Sequence, residues 1–332
     1  MYGQCRDFLL LTTLSAAAAM PAFGQIPTPA VAPGDGRLQG AAAIPDFSGI
    51  WGHLSLPGFE PPLSGPGPVL NKSRTRQVVG GDGPPVPDTN GALVSSIYQF
   101  VGDYSNPILK PQAAEVVKKH GEIELSGVPA PIPSNQCWPG GVPFVFWNIG
   151  MQMFQQPHQI TILYSFGEVR HVRLNQSHPA QVTPSWYGDS VGHYEGDTLV
   201  IDTVGIKADW PFAMIDMYGT PYTQALHVVE RYRLLDYEAA KEAEERGEKE
   251  NFRLAASDAG FARNPDYKGK GLQLQFTVED EGVFTMPWSA TVTYRRPLST
   301  LGGWPEFVCA ENLYGYFPGR RAAIPTADRP DF

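Results

Sequence analysis

The chain has 332 residues, a formal net charge of −9 and no block of basic residues, a balance that argues against nucleic acid and anionic membrane surfaces as partners. Hydrophobic residues make up 42% of it, enough core for one large all-β domain or two small ones.

The N-terminus reads "MYGQCRDFLLLTTLSAAAAMPAFGQ". Arg6 precedes an apolar run from Phe8 to Met20, and "AFG" offers small residues for cleavage. This is the layout of a secretory signal over residues 1–24, with a mature chain starting near Gln25 in the periplasm or outside the cell. The run is short for a membrane span, and no later segment is apolar enough to make one. Residues 25–44, rich in Pro, Ala and Gly, form a flexible lead-in. Residues 45–135 read as an irregular Pro/Gly-rich arm packed on the core. It opens on a short strand in "PDFSGIWG" and carries a helix from Pro111 to about His120, with Ala113, Val116 and Val117 on one face.

A β core is expected over residues 136–316. "HQITILYSFGEVRHVRLN" reads as a hairpin, because Ile160, Ile162 and Tyr164 alternate with polar neighbours and "FGE" makes the turn. A second hairpin folds across "EGD". "ALHVVERYRLL", "LQLQFTVED", "MPWSATVTYRR" and "WPEFVCAEN" supply further strands, and a charged, Ala-rich helix near 239–252 is an exposed insertion in a loop. Residues 317–332 are an irregular tail. Sequential strands joined by short turns, in a chain with 32 prolines and 35 glycines, predict a mainly β fold. The expected form is an antiparallel meander closing into a barrel or strongly curved sheet of the lipocalin type, with one or two peripheral helices; a β-sandwich is the alternative.

Of three cysteines, Cys5 lies in the signal. Cys137 and Cys309 remain in an oxidising compartment and are expected to form one disulfide, with two free buried thiols as the alternative.

The motifs "PDFSGIWG", "CWPGGVP", "SHP", "WYGDSVGHYEGDTLVIDT", "ALHVVERYR", "MPWSATV" and "EFVCAEN" occur in this order. Together they resemble a large group of secreted bacterial proteins that share a central block close to "GHWEGDTLVVDT" followed by "LHVTERY". The resemblance spans most of Pro45 to Asn312 and implies a shared architecture and a shared site, with no settled reaction attached. This chain has "GTPYTQALHV" where relatives often carry "GHPHSEALHV", so the first of those histidines is absent, and its charged helix looks like an insertion.

Three histidines carry the functional reading. In the "EGD" hairpin, strand parity puts Val191, His193, Val200 and Asp202 on one face and Tyr194, Leu199 and Ile201 on the other. A carboxylate beside an imidazole fixes its tautomer and suits a general base, so Asp202 is expected to orient His193. In "LHVVERYR", His227 shares a face with Arg231, while Glu230 falls on the more apolar face, either paired with an arginine or poised as an acid. His178 sits on a loop at a strand end, where ligand contacts concentrate. Trp186, Tyr187 and Tyr222 flank these histidines and are candidate pocket walls, as are Trp210 and Tyr218.

The first expectation is therefore a secreted enzyme of lyase, isomerase or hydrolase type acting on a small apolar or aromatic molecule. His193, His227, Asp202 and Glu230 would do the chemistry; His178, Arg231 and the aromatic residues would hold the substrate. No cofactor is required in this reading. One alternative is a lipocalin-like binding protein, and another is a metal-dependent enzyme with zinc or copper on His178, His193 and His227, although no H-x-H or HExxH spacing supports it. A third is an envelope protein with scattered, solvated histidines. Ser190 stands near His193 in the sequence but falls on the opposite strand face, so a Ser–His pair is not expected, and the chain lacks a P-loop and a strand-linked GxGxxG.

Overall fold

The computed structural model describes residues 44–53, 58–72, 86–87, 93–94, 100–126, 130–249 and 266–296. The expected signal, the 297–332 region with its Cys309 strand, and most of the lead-in lie outside these. Eleven strands are described: β1 (Gly49–Gly52), β2 (Val86–Pro87), β3 (Leu93–Val94), β4 (Gly150–Gln155), β5 (Gln159–Tyr164), β6 (Val169–Leu174), β7 (Asp189–Glu195), β8 (Thr198–Val204), β9 (His227–Leu235), β10 (Gly271–Glu279) and β11 (Trp288–Tyr294). Two α-helices join them, α1 (Pro111–Leu125) and α2 (Tyr237–Lys249).

Nine strands form one sheet in the order β1-β4-β5-β6-β7-β8-β9-β10-β11, and β2 pairs only with β3. The edges of the large sheet meet: Gly52 N–H donates to Arg295 O at 2.8 Å and Arg295 N–H to Gly52 O at 2.7 Å. The result is the expected mainly β, barrel-like fold with peripheral helices, nearly closed on itself. "PDFSGIWG" thus belongs to the barrel wall, not to an arm outside it. Gly49 is required there: its φ is +112°, and a Cβ would stand 2.1 Å from the Arg296 guanidinium, which covers Trp51 at 3.9 Å. The strand β4, which pairs with both β1 and β5, carried too little alternation to be read from the sequence.

All neighbours in the sheet are antiparallel except β6 and β7, which run parallel through Arg173↔Val191 and Leu174↔Gly192. A parallel step needs a long crossover rather than a tight turn. Residues 175–188 provide it, and this crossover carries His178 to the outer-face carboxylates Asp189 and Asp202, with Trp186 and Tyr187 near its end.

Alternation is clean along β5, β6 and β10, as the period of two demands. Inward residues in register include Trp51↔Met151, Met153↔Ile162, Leu199↔Tyr232 and Phe276↔Ala290, all fully buried. These side chains join one continuous hydrophobic cluster of buried residues.

Helix α1 begins with Pro111 in its first turn, where no backbone N–H is missed. It extends to Leu125, beyond the expected end, and buries Ala113, Val117, His120, Gly121 and Glu124, whereas Val116 is 45% exposed. Helix α2 matches the charged segment but is more than an exposed insertion. Ala240, Ala243 and Glu244 are buried, and Glu244 meets Arg295 at 3.3 Å.

The packing of α1 sets a pH dependence. Burial pushes the Glu124 carboxyl up to about 7 and the His120 imidazole down to about 4. The fold prefers Glu124 protonated. Its contribution is present below the ordinary carboxylate range and lost as pH rises through about 7. His120 acts oppositely, costing stability as the medium becomes acid. Glu124→Gln should therefore flatten the fall in melting temperature between pH about 5 and about 8 while leaving the acid limb intact. An unchanged upper limb would place that titration elsewhere.

Candidate functional site

The segment "CWPGGVP" folds across the end of the β5–β6 hairpin. Cys137 and Gly141 take left-handed backbone angles, with φ of 56° and 67°. Gly141 must be glycine, because a Cβ would stand 2.7 Å from the Trp186 carbonyl. The chain then makes a short 3-10 turn over Phe144–Trp147. On the other side the hairpin turn runs through Gly167, φ 82°, and delivers Glu168 toward this loop. Between them lies a cleft of about 400 Å3, within the range of small-molecule sites.

Its walls include Trp138, Phe144, Phe166 and Tyr187, and its polar lining includes Glu168, Asn148 and Ser134. Glu168 Oε1 accepts the Gly140 N–H at 2.8 Å, Oε2 accepts from the Asn148 amide, and the Tyr187 hydroxyl donates to the same carboxylate. Burial nevertheless outweighs these donors and holds the Glu168 carboxyl above its ordinary range. Burial and the neighbouring Glu168 charge likewise raise the Tyr187 phenol. A carboxyl and a phenol held together in an aromatic cleft can exchange a proton with a bound molecule.

Behind the cleft stands a tryptophan cluster. Trp138 stacks on Trp210 at 5.6 Å and 14°, and Trp186 meets both edge-on at 5.4 and 5.0 Å. The Trp210 indole N–H donates to the Lys207 carbonyl at 2.9 Å and to the Tyr222 hydroxyl at 3.2 Å. Lys207 lies over the Trp186 ring at 4.8 Å. The expected aromatic gathering is present. Tyr187 lines the cleft, Trp186 and Trp210 back it, and Tyr222 is buried among them.

The histidines occupy the outer barrel face. Parity in the "EGD" hairpin is as expected, with Val191↔Asp202 and His193↔Val200 in register. Asp202 does not orient His193, however. Its Oδ1 stands 3.1 Å from both His178 Nε2 and His227 Nε2. His178 Nδ1 meets Asp189 at 2.6 Å, and Asp189 is gripped through both oxygens by Arg173. His227 Nδ1 lies 3.5 Å from Glu279. The chain Arg173–Asp189–His178–Asp202–His227–Glu279 thus alternates basic and acidic side chains across the crossover, β6, β7, β8, β9 and β10. His178 faces carboxylates at both ring nitrogens, and both can donate only in the doubly protonated ring. His193 stands apart, 53% exposed, 3.1 Å from Glu195, which also binds Arg231. Arg231 is therefore an outer-face ion-pair residue here. None of the three histidines lines the cleft.

Glu230 points into the barrel, wholly buried, and its partner is Arg170. Two bonds of 2.6 and 2.9 Å join them. Ser190, Thr203 and the Tyr232 hydroxyl complete the network. This is the arginine-paired alternative for Glu230. Ser190, expected opposite His193, belongs to it.

Among the described residues no group of three or more His, Cys, Asp or Glu side chains is arranged to hold a metal ion. No helix among them is long and apolar enough to cross a membrane. No family model, curated protein or solved structure matches this chain.

Glu168, Asn148 and Trp138 were not singled out from the sequence. "FGE" read only as a turn, although a glutamate after a turn glycine, facing a Trp- and Gly-rich loop, was the available signal.

Proposed function

We propose that this chain is a secreted protein that binds a small molecule with an apolar or aromatic body in the Trp138–Glu168–Tyr187 cleft. Glu168 and Tyr187 would be the pair available for proton transfer where binding leads to lyase, isomerase or hydrolase chemistry. The observation that carries the reading is the pinned carboxyl lining an aromatic-walled cleft. Secretion rests on the N-terminal pattern over residues 1–24. Kinship with the secreted bacterial group rests on the Trp186–Gly205 block. The reading takes Cys309 as the disulfide partner of Cys137, which lines the cleft. Titration of the mature protein with small aromatic compounds, followed by tryptophan fluorescence and repeated on Trp138→Ala, tests it.

A second reading places acid–base chemistry on the histidine chain, because His178 and His227 share one Asp202 oxygen. Asp202→Asn separates the two. Under the first reading it leaves cleft affinity unchanged and costs under ~1 kcal/mol of stability, since the carboxylate is 41% exposed. Loss of turnover or of ligand affinity in that variant would move the site to the histidines.

A further inference from the structure

The cleft's chemistry narrows its ligand, on the reading that the cleft is the binding site. Among the described residues its lining is Ser134, Asn148, Glu168, Tyr187, aromatic rings and small or apolar residues, and no described Lys, Arg or His side chain is among them. An anionic ligand would meet a carboxylate and find no cation. A neutral ligand would leave that carboxyl without a charge partner in a partly desolvated site. A cation would meet ring faces and a carboxylate together, the pairing that recognises ammonium groups.

The carboxyl is also fixed in place. Three donors hold it: the Gly140 N–H at 2.8 Å, the Asn148 amide and the Tyr187 hydroxyl. A carboxylate offers about four acceptor positions, so roughly one remains for a ligand donor. Gly140 packs closely against a wall of the cleft, since a Cβ there would stand 2.7 Å from the Phe144 ring. Trp138, Phe144, Phe166 and Tyr187 supply the ring faces.

We propose that the cleft takes an organic cation, a primary or quaternary ammonium on an apolar or aromatic body, with Glu168 as its counter-ion and the aromatic walls as its cage. Binding then favours the ionised form of Glu168. The titratable groups facing it are Tyr187 across the cleft and Tyr164 on β5. Both phenols are raised by burial and stay neutral throughout the accessible range. Because burial holds the Glu168 proton more tightly than usual, cation binding expels it, and affinity rises with pH.

The test is calorimetric titration of the mature protein with benzyltrimethylammonium, benzyl alcohol and phenylacetate, each at pH about 8 and about 5. The cation should bind roughly tenfold or more tighter than the alcohol, and phenylacetate most weakly. Acidification should weaken the cation several-fold and leave the alcohol unchanged. In Glu168→Gln the cation and the alcohol should become equal. Should that variant fail to fold, the pH comparison on the native chain carries the same information. Equal binding of cation and alcohol by the native chain, or preference for phenylacetate, would overturn the ligand class while leaving the cleft as the site. Binding of none of the three would overturn the cleft reading together with it.

Discussion

Glu230→Leu should lower the unfolding free energy by about 3–5 kcal/mol, read from the urea midpoint at constant slope. The substitution leaves the Arg170 guanidinium, 1% exposed, without the carboxylate that binds it twice. Ser190 and Thr203 still accept from it, but neither carries charge. Removing one member of a buried pair costs far more than replacing both, because the survivor stays desolvated and uncompensated. The double variant Arg170→Met/Glu230→Leu should therefore recover most of the loss. Stability of the single variant within about 1 kcal/mol of the native chain would mean that the pair is hydrated and the interior less dry than its packing implies.

Trp138→Ala should weaken ligand binding by about 2 kcal/mol, roughly thirtyfold in Kd. The ring forms a wall of the cleft and is braced by stacking on Trp210 and by an edge contact with Trp186. A braced aromatic loses little conformational freedom when a ligand arrives, which makes it an anchor. Its 40% exposure keeps the cost to the fold small, so the melting temperature should change much less than the affinity. Equal affinity in the variant would exclude the Trp138 wall from the site.

The fold class was legible because period-two alternation survives wherever one strand face is wet. Ile160, Ile162 and Tyr164 alternate in the sequence and in burial alike, and the "EGD" hairpin has the expected parity. The parallel β6–β7 step was not legible. A crossover of loop residues leaves no local periodicity, and nothing between Asn175 and Gly188 distinguishes a crossover from a long hairpin connection. A barrel was expected, but not the pair that closes it, since Gly52 and Arg295 are far apart in the chain. Val116 looked apolar and inward, but the buried stripe of α1 runs through His120 and Glu124, whose polarity disguises it.

The site was legible in part. Parity put His193 and Asp202 on one face correctly, but face membership does not fix partners. Asp202 lies diagonally within reach of His227 and the crossover brings His178, while His193 finds Glu195 two residues on. Glu230 on an apolar face left an arginine partner and a poised acid both open, and the sequence could not choose because Arg170 lies three strands away in the sheet. The cleft was missed because its parts, Trp138, Phe144, Asn148, Glu168 and Tyr187, come from three separate loops. None of these carries a spacing that chemistry imposes on a single segment.

The most direct test of the account is the nitrogen–proton spectrum of the mature protein's indole groups during titration with benzyltrimethylammonium. The chain has seven tryptophans, so the signals are few and assignable by substitution. Trp138 in the cleft wall and Trp210 stacked beneath it should shift together and saturably, while Trp51 and Trp288, buried in the barrel, should not move. Shifts at Trp51 and Trp288 with Trp138 unmoved would contradict the account and put the ligand inside the barrel.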